Sequence, residues 1–278
     1  MNGEDVLVWV DGRVGPAAEA TVGVLDSGLS VGDGLFETVR VQDGAPVALT
    51  RHLARLTSAA SRIGLQIPPV GALRAAAHEL LRAAAPRDAA RLRVTVTGGP
   101  SPLGPRRGPG PATLVLAVAP LGPQADTVDV VTLEWVRNER SPVAGLKTLS
   151  YAESALALAA ARERGAGEAL LANTRGELCE AATSNVFVVL GGRLRTPPLT
   201  SGCLPGVTRA LVLETSGAVE EAIPYAAVGA VEEAFLTSAI RGLTPVASID
   251  GRKLRARGPA TSRAIAAYAE LLASGLDP

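Results

Sequence analysis

The spacing of apolar positions along the first 119 residues alternates between the period of a strand and that of a helix. Apolar residues recur at helical spacing from Leu53 to Ile63, which predicts an amphipathic helix over residues 51–63 with Thr50 as its N-cap. Residues 98–111 are crowded with glycine and proline and are expected to form a mobile loop. The pattern also predicts strands over 6–10, 35–41, 91–97 and 112–118, and a second helix over 73–85.

The second half of the chain shows the same mixture of short strands and helices. Ser150 and Glu153 form a Ser-x-x-Glu capping box, which predicts a helix over 151–164 that ends at Gly165. Further helices are expected from Val207 and over 259–272, and strands over 128–136, 169–172, from Leu178, and over 185–190, 233–237 and 246–249.

Residues 120–123 (PLGP) are the best candidate for a linker, so we expect one domain over residues 1–119 and a second over 124–278. Strands and helices do not alternate strictly in either half. The expected fold class is therefore α+β in both domains.

The composition excludes several classes of function. Lys plus Arg and Asp plus Glu both number 27, and this balance argues against nucleic acid or an anionic membrane as the main partner. Two scattered cysteines and two histidines are too few for a disulfide framework or a metal site. No apolar run approaches the roughly 20 residues of a membrane span, and residues 1–5 do not resemble a signal peptide. We therefore expect a cytoplasmic protein.

Lysine is rare in this chain, because only Lys147 and Lys253 occur among the 27 basic residues. Arginine stays protonated, whereas a desolvated lysine can lose its proton and act as a nucleophile or base. Lys147 has apolar neighbours on both sides, Leu146 and Leu149, and no acid close in sequence. Such a setting suits a Schiff-base lysine, although an exposed loop lysine would leave the same pattern.

Three other positions are candidates for chemistry. Glu180 is a lone acid among small residues that lead into an apolar strand, which fits either a carboxylate paired with a cationic ring nitrogen or a strand-edge acid in water. The helix that begins after Gly206 offers free backbone N–H groups and the Thr208 hydroxyl for a phosphate, although ordinary capping gives the same sequence. Arg55 lies away from the apolar stripe of its helix, and periodicity alone places it on a solvated basic face.

Together these residues form a series: a lysine, a glutamate and a Gly/Thr anion site. Pyridoxal phosphate needs an amine for its aldehyde, an acid for its ring nitrogen and donors for its phosphate. The sequence resembles the class IV aminotransferases, the fold-type IV pyridoxal phosphate enzymes. The matching motifs cover most of the chain and are residues 32–38 (GDGLFET), 52–56 (HLARL), 147–151 (KTLSY), Glu180, 184–187 (SNVF), 196–198 (TPP), 204–209 (LPGVTR) and 244–246 (TPV).

The resemblance implies a small α+β domain, a larger pseudo-barrel α/β domain, and a homodimer whose partner subunit completes each active site. It also implies that Lys147 binds the cofactor and shuttles protons, that Glu180 keeps the ring nitrogen protonated, and that Tyr151 hydrogen-bonds the phenolic oxygen. The implied phosphate ligands are Arg55, Val207, Thr208 and Ser238, the last because Ala239 stands where many members of the family have a threonine.

Thr38 is the residue that best distinguishes between members of the family. Phe-Glu-Thr resembles aminodeoxychorismate lyase, in which this threonine is thought to help protonate the departing group, so the lyase that releases pyruvate and 4-aminobenzoate is the first expectation. Tyr151 is shared with the transaminases, and a transaminase for branched-chain L-amino acids or D-amino acids is the alternative. A cofactor-binding protein without catalysis is a third, weaker alternative. Substrate carboxylates would be met by Arg93, Arg106 or Arg107, among which the sequence does not choose.

Overall fold

The computed structural model describes residues 6–86, 88–102 and 104–278. They form two compact units. The first runs to Pro123 and also includes Lys147–Ser150 and Leu276–Pro278, and the second comprises Gln124–Leu146 and Tyr151–Gly275. Residues 1–5, where no targeting segment is expected, lie outside the described residues. None of the helices in the described residues combines the length and the hydrophobicity of a membrane span.

The first unit is built on a six-stranded antiparallel sheet in the order β2-β1-β6-β5-β3-β4. Its strands are β1 (Leu7–Val10), β2 (Arg13–Pro16), β3 (Gly34–Gln42), β4 (Ala45–Pro46), β5 (Ala90–Thr97) and β6 (Leu114–Pro120), and its helices are α1 (Ser27–Ser30), α2 (Leu49–Arg62) and α3 (Val70–Ala84). A short 3₁₀ turn covers Ala17–Glu19. Helices α2 and α3 pack on one face of the sheet. The apolar stripe of α2, which includes Leu53 and Leu56, is fully buried there.

The register of β3 and β5 determines which side chains share each face of this sheet. Phe36 lies opposite Thr95, and Thr38 lies directly opposite Arg93. Residues opposite each other in an antiparallel pair point to the same side, and neighbours along a strand point to opposite sides. Phe36, Thr38 and Arg93 therefore share one face, and Glu37 lies on the other, which α2 covers.

The second unit contains a nine-stranded sheet in the order β12-β11-β10-β13-β14-β7-β8-β9, with β15 paired to β14. Its strands are β7 (Val128–Arg137), β8 (Glu168–Asn173), β9 (Leu178–Ala181), β10 (Asn185–Leu190), β11 (Arg193–Thr196), β12 (Val219–Glu220), β13 (Glu233–Ser238), β14 (Gly242–Ile249) and β15 (Arg252–Lys253). Its helices are α4 (Ala152–Glu163), α5 (Val207–Ser216) and α6 (Pro259–Ser274), with 3₁₀ turns at Leu199–Ser201 and Tyr225–Ala230. The sheet is mixed, because β7 pairs in parallel with both β14 and β8.

The core of the second unit is apolar and closely packed. Phe187 of β10 and Phe235 of β13 are fully buried, and their rings stack at 4.9 Å between centroids. Burial of side chains of this size is the main favourable contribution to folding, at roughly 2–3 kcal/mol each. Val212 of α5 and Ala264 of α6 belong to the same buried cluster, so this packing holds both helices against β10 and β13.

Every helix and strand predicted from the sequence is present, and the α+β class is confirmed. Two predicted caps are wrong. The residue that precedes α2 is Ala48, at φ +52°, and the Thr50 N–H and hydroxyl bond instead to the Asp277 carboxylate at 2.8 and 2.5 Å. Helix α4 begins after Tyr151 without a side-chain cap, because the Ser150 hydroxyl lies in the first unit and bonds to Gly32 O at 3.4 Å.

Two segments differ from their expected setting. Lys147, expected in the second domain, belongs by its contacts to the first unit, because residues 147–150 run along the start of β3. The loop over 98–111, expected to be mobile, is attached at Arg107, whose guanidinium bonds to the Asp33 carboxylate at 2.7 and 2.8 Å and to Ile63 O at 2.9 Å.

Candidate active site

Main-chain hydrogen bonds hold Lys147 beside strand β3. The Phe36 N–H donates to Lys147 O at 2.9 Å, and the Leu149 N–H donates to Gly34 O at 3.0 Å. This close approach requires glycine at position 34, because a Cβ there would lie 2.5 Å from Val96 O and 2.6 Å from a Leu149 methyl carbon. The main chain from Lys147 to Leu149 is therefore anchored to β3.

The side chain of Lys147 lies over an aromatic ring. Its Nζ is 4.2 Å from the ring centroid of Phe36, and the guanidinium carbon of Arg93 is 3.7 Å from the same centroid. Cations are attracted to ring faces at such distances. Arg93 Nε also bonds to Thr95 Oγ1 at 3.1 Å. An amine and a guanidinium thus both contact Phe36, which lies on the sheet face that carries Thr38.

The opposite face holds a buried acid that sequence reasoning missed. Glu37 is 1% exposed, and its carboxylate accepts from Arg55 Nε and Nη2 at 2.8 and 2.5 Å and contacts His52 Nδ1 at 2.7 Å. Burial alone would raise the pKa of Glu37, but the charge of Arg55 and the hydrogen bonds from His52 and Arg55 lower it to about 2. A strand that alternates Leu35, Glu37, Val39 places this acid on the core face, which is the signal that could have identified it.

Arg55 corrects the expectation of a solvated basic face. Its side chain is 14% exposed, because Glu37 draws the guanidinium toward the sheet. Periodicity along α2 could not reveal this pairing, since the partner belongs to a strand 18 positions earlier in the chain.

Glu180 is buried in β9, so it is not a strand-edge acid in contact with water. Its Oε2 accepts from the Leu204 N–H at 3.0 Å and from Asn185 Nδ2 at 3.3 Å, and its Oε1 lies 3.5 Å from Arg137 Nε. Buried carboxylates persist only with such partners. Sequence reasoning missed Arg137 and Asn185, which hold this acid in place.

Tyr151 lies in the second unit, just before α4. Burial and the negative charge of Glu180 raise the pKa of its phenol, while the charge of Arg137 opposes them. The phenol therefore stays protonated and able to donate a hydrogen bond at neutral pH.

The start of α5 is shaped around Asn185. Gly206 is the N-cap, at φ −63° and ψ 136°, and no side chain caps this helix. A Cβ at Gly206 would lie 2.0 Å from Asn185 Oδ1, so only glycine fits this position. Val207 and Thr208 follow in the first turn and are buried. Uncapped N–H groups at the N-terminus of a ten-residue helix form a favourable setting for an anion.

The turn after β13 contains Ser238. Its hydroxyl accepts from the Arg241 N–H at 3.3 Å, and Arg241 Nη2 bonds to Glu168 and to the Ser184 hydroxyl, both at 2.8 Å. Glu168 is fully buried and also accepts from the Thr183 hydroxyl. No sequence pattern indicated this network, which holds the turn in place.

The three candidate substrate arginines differ in their surroundings. Arg107 donates to the Asp33 carboxylate, and this hydrogen bond raises the pKa of the guanidinium. Arg106 is exposed in the same loop. Arg93 is the one whose guanidinium lies on the Phe36 ring that Lys147 also contacts.

The cysteines are both buried and free. Burial and neighbouring negative charge raise the pKa of Cys203 to about 11 and raise that of Cys179 as well. Thiols in this state are poor nucleophiles. Among the described residues, no group of three or more His, Cys, Asp and Glu side chains could hold a metal ion.

Comparisons with known proteins agree on one family. A family model described as amino-transferase class IV matches residues 34–249. The chain is 31% identical to the branched-chain-amino-acid aminotransferase of Pseudomonas aeruginosa over 98% of this chain and 94% of that one. It is 30% identical to the D-alanine aminotransferase of Bacillus licheniformis over 91% of each. The branched-chain aminotransferase of Thermoproteus uzoniensis, solved with norvaline, superposes with a TM-score of 0.89 at 31% identity and covers 96% of this chain and 95% of that one.

Proposed function

Because the chain belongs to the class IV aminotransferase family, we propose that it transfers an amino group from a branched-chain L-amino acid or a D-amino acid to a 2-oxo acid. The similarity to both kinds of aminotransferase supports this alternative over the lyase that the sequence first suggested. Pyridoxal 5′-phosphate is the cofactor.

The observation that carries the proposal is the pair of cations on Phe36. An amine that can exchange with the substrate's amino group, Lys147, lies over the same ring as a guanidinium that can pair with a carboxylate, Arg93. An α-amino acid carries its amino group and its carboxylate on the same carbon, so it could reach both side chains. Arg107 is a weaker candidate for the carboxylate, because Asp33 already takes two of its N–H groups.

The described residues fit pyridoxal phosphate. Lys147 would bind its aldehyde carbon, and the buried carboxylate of Glu180, which accepts from the Leu204 N–H and faces Arg137, suits a protonated ring nitrogen. Tyr151 would donate to the phenolic oxygen. Arg55, the backbone N–H of Val207, the Thr208 hydroxyl and the Ser238 hydroxyl would bind the phosphate. When bound, the cofactor supplies an electron sink that acidifies the α-carbon of the substrate.

Three of these side chains act directly in the proposed reaction. Lys147 Nζ would take the proton from the substrate's α-carbon and deliver it to the cofactor carbon that carried the aldehyde, so that the amino group would stay with the cofactor when the 2-oxo acid leaves. Glu180 holds the proton at the ring nitrogen, and the Leu204 N–H and Asn185 amide fix the direction of its carboxylate. Arg93 orients the substrate by its carboxylate.

The test uses the purified holoprotein with L-leucine, L-valine or D-alanine as donor and 2-oxoglutarate as acceptor. Chiral chromatography then reads which enantiomer of glutamate forms. We expect transfer from at least one donor, and none by the Lys147→Ala variant. If protein that retains the visible absorption of bound cofactor transfers no amine, the aminotransferase proposal is wrong.

Aminodeoxychorismate lyase is the second candidate, and Thr38 favours it. This hydroxyl lies directly opposite Arg93 and on the same face as Phe36, so it shares the face over which the Lys147 amine lies. In that reaction Lys147 would remove the ring proton beside the amine, and Thr38 would donate a proton to the departing pyruvate. Equal amounts of pyruvate and 4-aminobenzoate, formed from 4-amino-4-deoxychorismate without a 2-oxo acid, would establish the lyase.

We also propose that the chain forms a homodimer. Val24, Leu25 and Leu29 of the first unit are 77, 49 and 69% exposed and close together in sequence. Apolar side chains grouped in this way favour a protein contact. Light scattering after size-exclusion chromatography should give twice the 28.3 kDa mass of one chain.

A further inference from the structure

The buried acid Glu37 makes a two-point contact with Arg55. Its two oxygens accept from Nε and Nη2, so the carboxylate and the guanidinium are joined edge to edge. Paired hydrogen bonds of this kind fix the plane of the guanidinium as well as its position. A single contact would leave the plane able to rotate.

His52 completes the arrangement. It lies three residues before Arg55 on α2, and the two side chains therefore share one face of the helix. Its Nδ1 is 2.7 Å from Glu37 Oε2, and the side chain is 2% exposed. The histidine thus holds the carboxylate that holds the arginine.

We propose that Glu37 is a positioning residue that, with His52, sets the guanidinium of Arg55 for the cofactor phosphate. The inference rests on the proposed function, in which Arg55 binds that phosphate. A free arginine loses much rotamer freedom when it binds, and a clamped one has already lost it. The clamp therefore raises phosphate affinity through pre-organisation.

Simple electrostatics predicts the opposite change in phosphate affinity when Glu37 is removed. Glu37 is a negative charge beside Arg55, so removing it should strengthen the attraction of Arg55 for a phosphate. Positioning predicts that removal weakens binding instead. The direction of the change therefore separates the two effects.

The experiment titrates apoprotein with pyridoxal 5′-phosphate and, separately, with pyridoxal, which lacks the phosphate. The test variants are Glu37→Gln, Glu37→Asp, His52→Gln and Arg55→Gln. Glu37→Asp keeps the charge but shortens the side chain, so it changes orientation alone. Glu233→Gln and His78→Gln are matched controls, because Glu233 is a buried acid that accepts from the Thr261 N–H and His78 is the other histidine of the chain.

We expect Glu37→Gln and Glu37→Asp each to raise the Kd for pyridoxal phosphate about tenfold, the usual effect of losing a charged hydrogen bond, with the Kd for pyridoxal unchanged. His52→Gln should give a smaller change of the same kind. If one Glu37 variant does not fold, the other and His52→Gln still decide.

The outcomes separate this inference from the proposal beneath it. If Arg55→Gln leaves the Kd for pyridoxal phosphate unchanged, Arg55 does not bind the phosphate, and both statements fail. If Arg55→Gln weakens binding while the Glu37 variants leave it unchanged or tighter, only the positioning role is overturned. Equal losses for both ligands would show a structural role and would also overturn it.

Discussion

The Nζ of Lys147 lies 4.2 Å from the ring centroid of Phe36, and the backbone carbonyl of Lys147 also accepts a hydrogen bond from the Phe36 N–H. The sequence offers an unusually clean test of this lysine, because Lys253 is the only other one. We expect Lys147→Ala to lower kcat at least about 1,000-fold, within the range for loss of a general base. Lys253→Arg, at an exposed strand end, should keep full activity. Single-turnover absorbance measurements would check both variants, and comparable rates in the two would contradict the role of Lys147.

Glu180 should affect the rate of reaction more than the binding of substrate. Glu180→Gln keeps the shape and the contact with the Leu204 N–H but removes the charge that would hold a proton at the ring nitrogen. We expect kcat to fall about 100-fold, as when one preorganised electrostatic contact is lost, with KM nearly unchanged. Glu177→Gln changes an acid three residues earlier that pairs with Arg175, so it is the matched control and should keep the wild-type kcat. A change in KM with kcat unaltered would contradict the assignment.

Sequence patterns identified the elements of both units because each helix or strand shows its own period of apolar residues. They also pointed to Lys147 and Glu180 as candidates, since a rare lysine and a lone acid in an apolar setting stand out locally. They could not identify the Glu37–Arg55 pair or the Asn185–Gly206 contact, because these join residues far apart in sequence and depend on which faces the fold brings together. The predicted caps of α2 and α4 failed for the same reason, since Thr50 and Ser150 bond to distant groups.

The ionised state of Glu37 makes stability depend on pH. Its pKa falls from 4.5 in the unfolded chain to about 2 in the folded one, so its contribution is complete above pH 4.5 and is lost as the pH falls toward 2. The shift corresponds to about 3 kcal/mol of unfolding free energy. Urea unfolding at pH 7, 4.5 and 3 should show a steeper loss for wild type than for Glu37→Gln. Parallel curves for the two proteins would be inconsistent with an ionised, paired Glu37.

Arg93 and Arg107 should respond differently to the same substitution. Arg93→Gln removes the guanidinium that lies over Phe36, and we expect the KM for a carboxylate substrate to rise about tenfold or more. Arg107→Gln breaks a half-exposed pair with Asp33, which is worth about 0–1 kcal/mol in stability, and should leave KM near its normal value. Initial rates and urea unfolding of both variants would check this. If Arg107→Gln raises KM more than Arg93→Gln does, the carboxylate binds at the loop instead.

Gly206 should tolerate no larger residue. A Cβ there would lie 2.0 Å from Asn185 Oδ1, and Asn185 in turn donates to Glu180 Oε2 and to Leu204 O. Gly206→Ala must displace that amide, and we expect it to cost about 1–3 kcal/mol in unfolding free energy, the usual range for overpacking. It should also weaken cofactor binding, because the displaced groups fix both Glu180 and the start of α5.

Gly229→Ala is the matched control for this substitution, because a Cβ at Gly229 meets no atom within 4 Å and its backbone is not in the left-handed region. Urea unfolding and titration with pyridoxal phosphate would compare the two alanine variants. We expect Gly229→Ala to match wild type in both measurements. If Gly206→Ala also matches wild type, Asn185 can move away without loss, and it does not fix Glu180. A loss of stability without a loss of cofactor affinity would confine the role of this contact to folding.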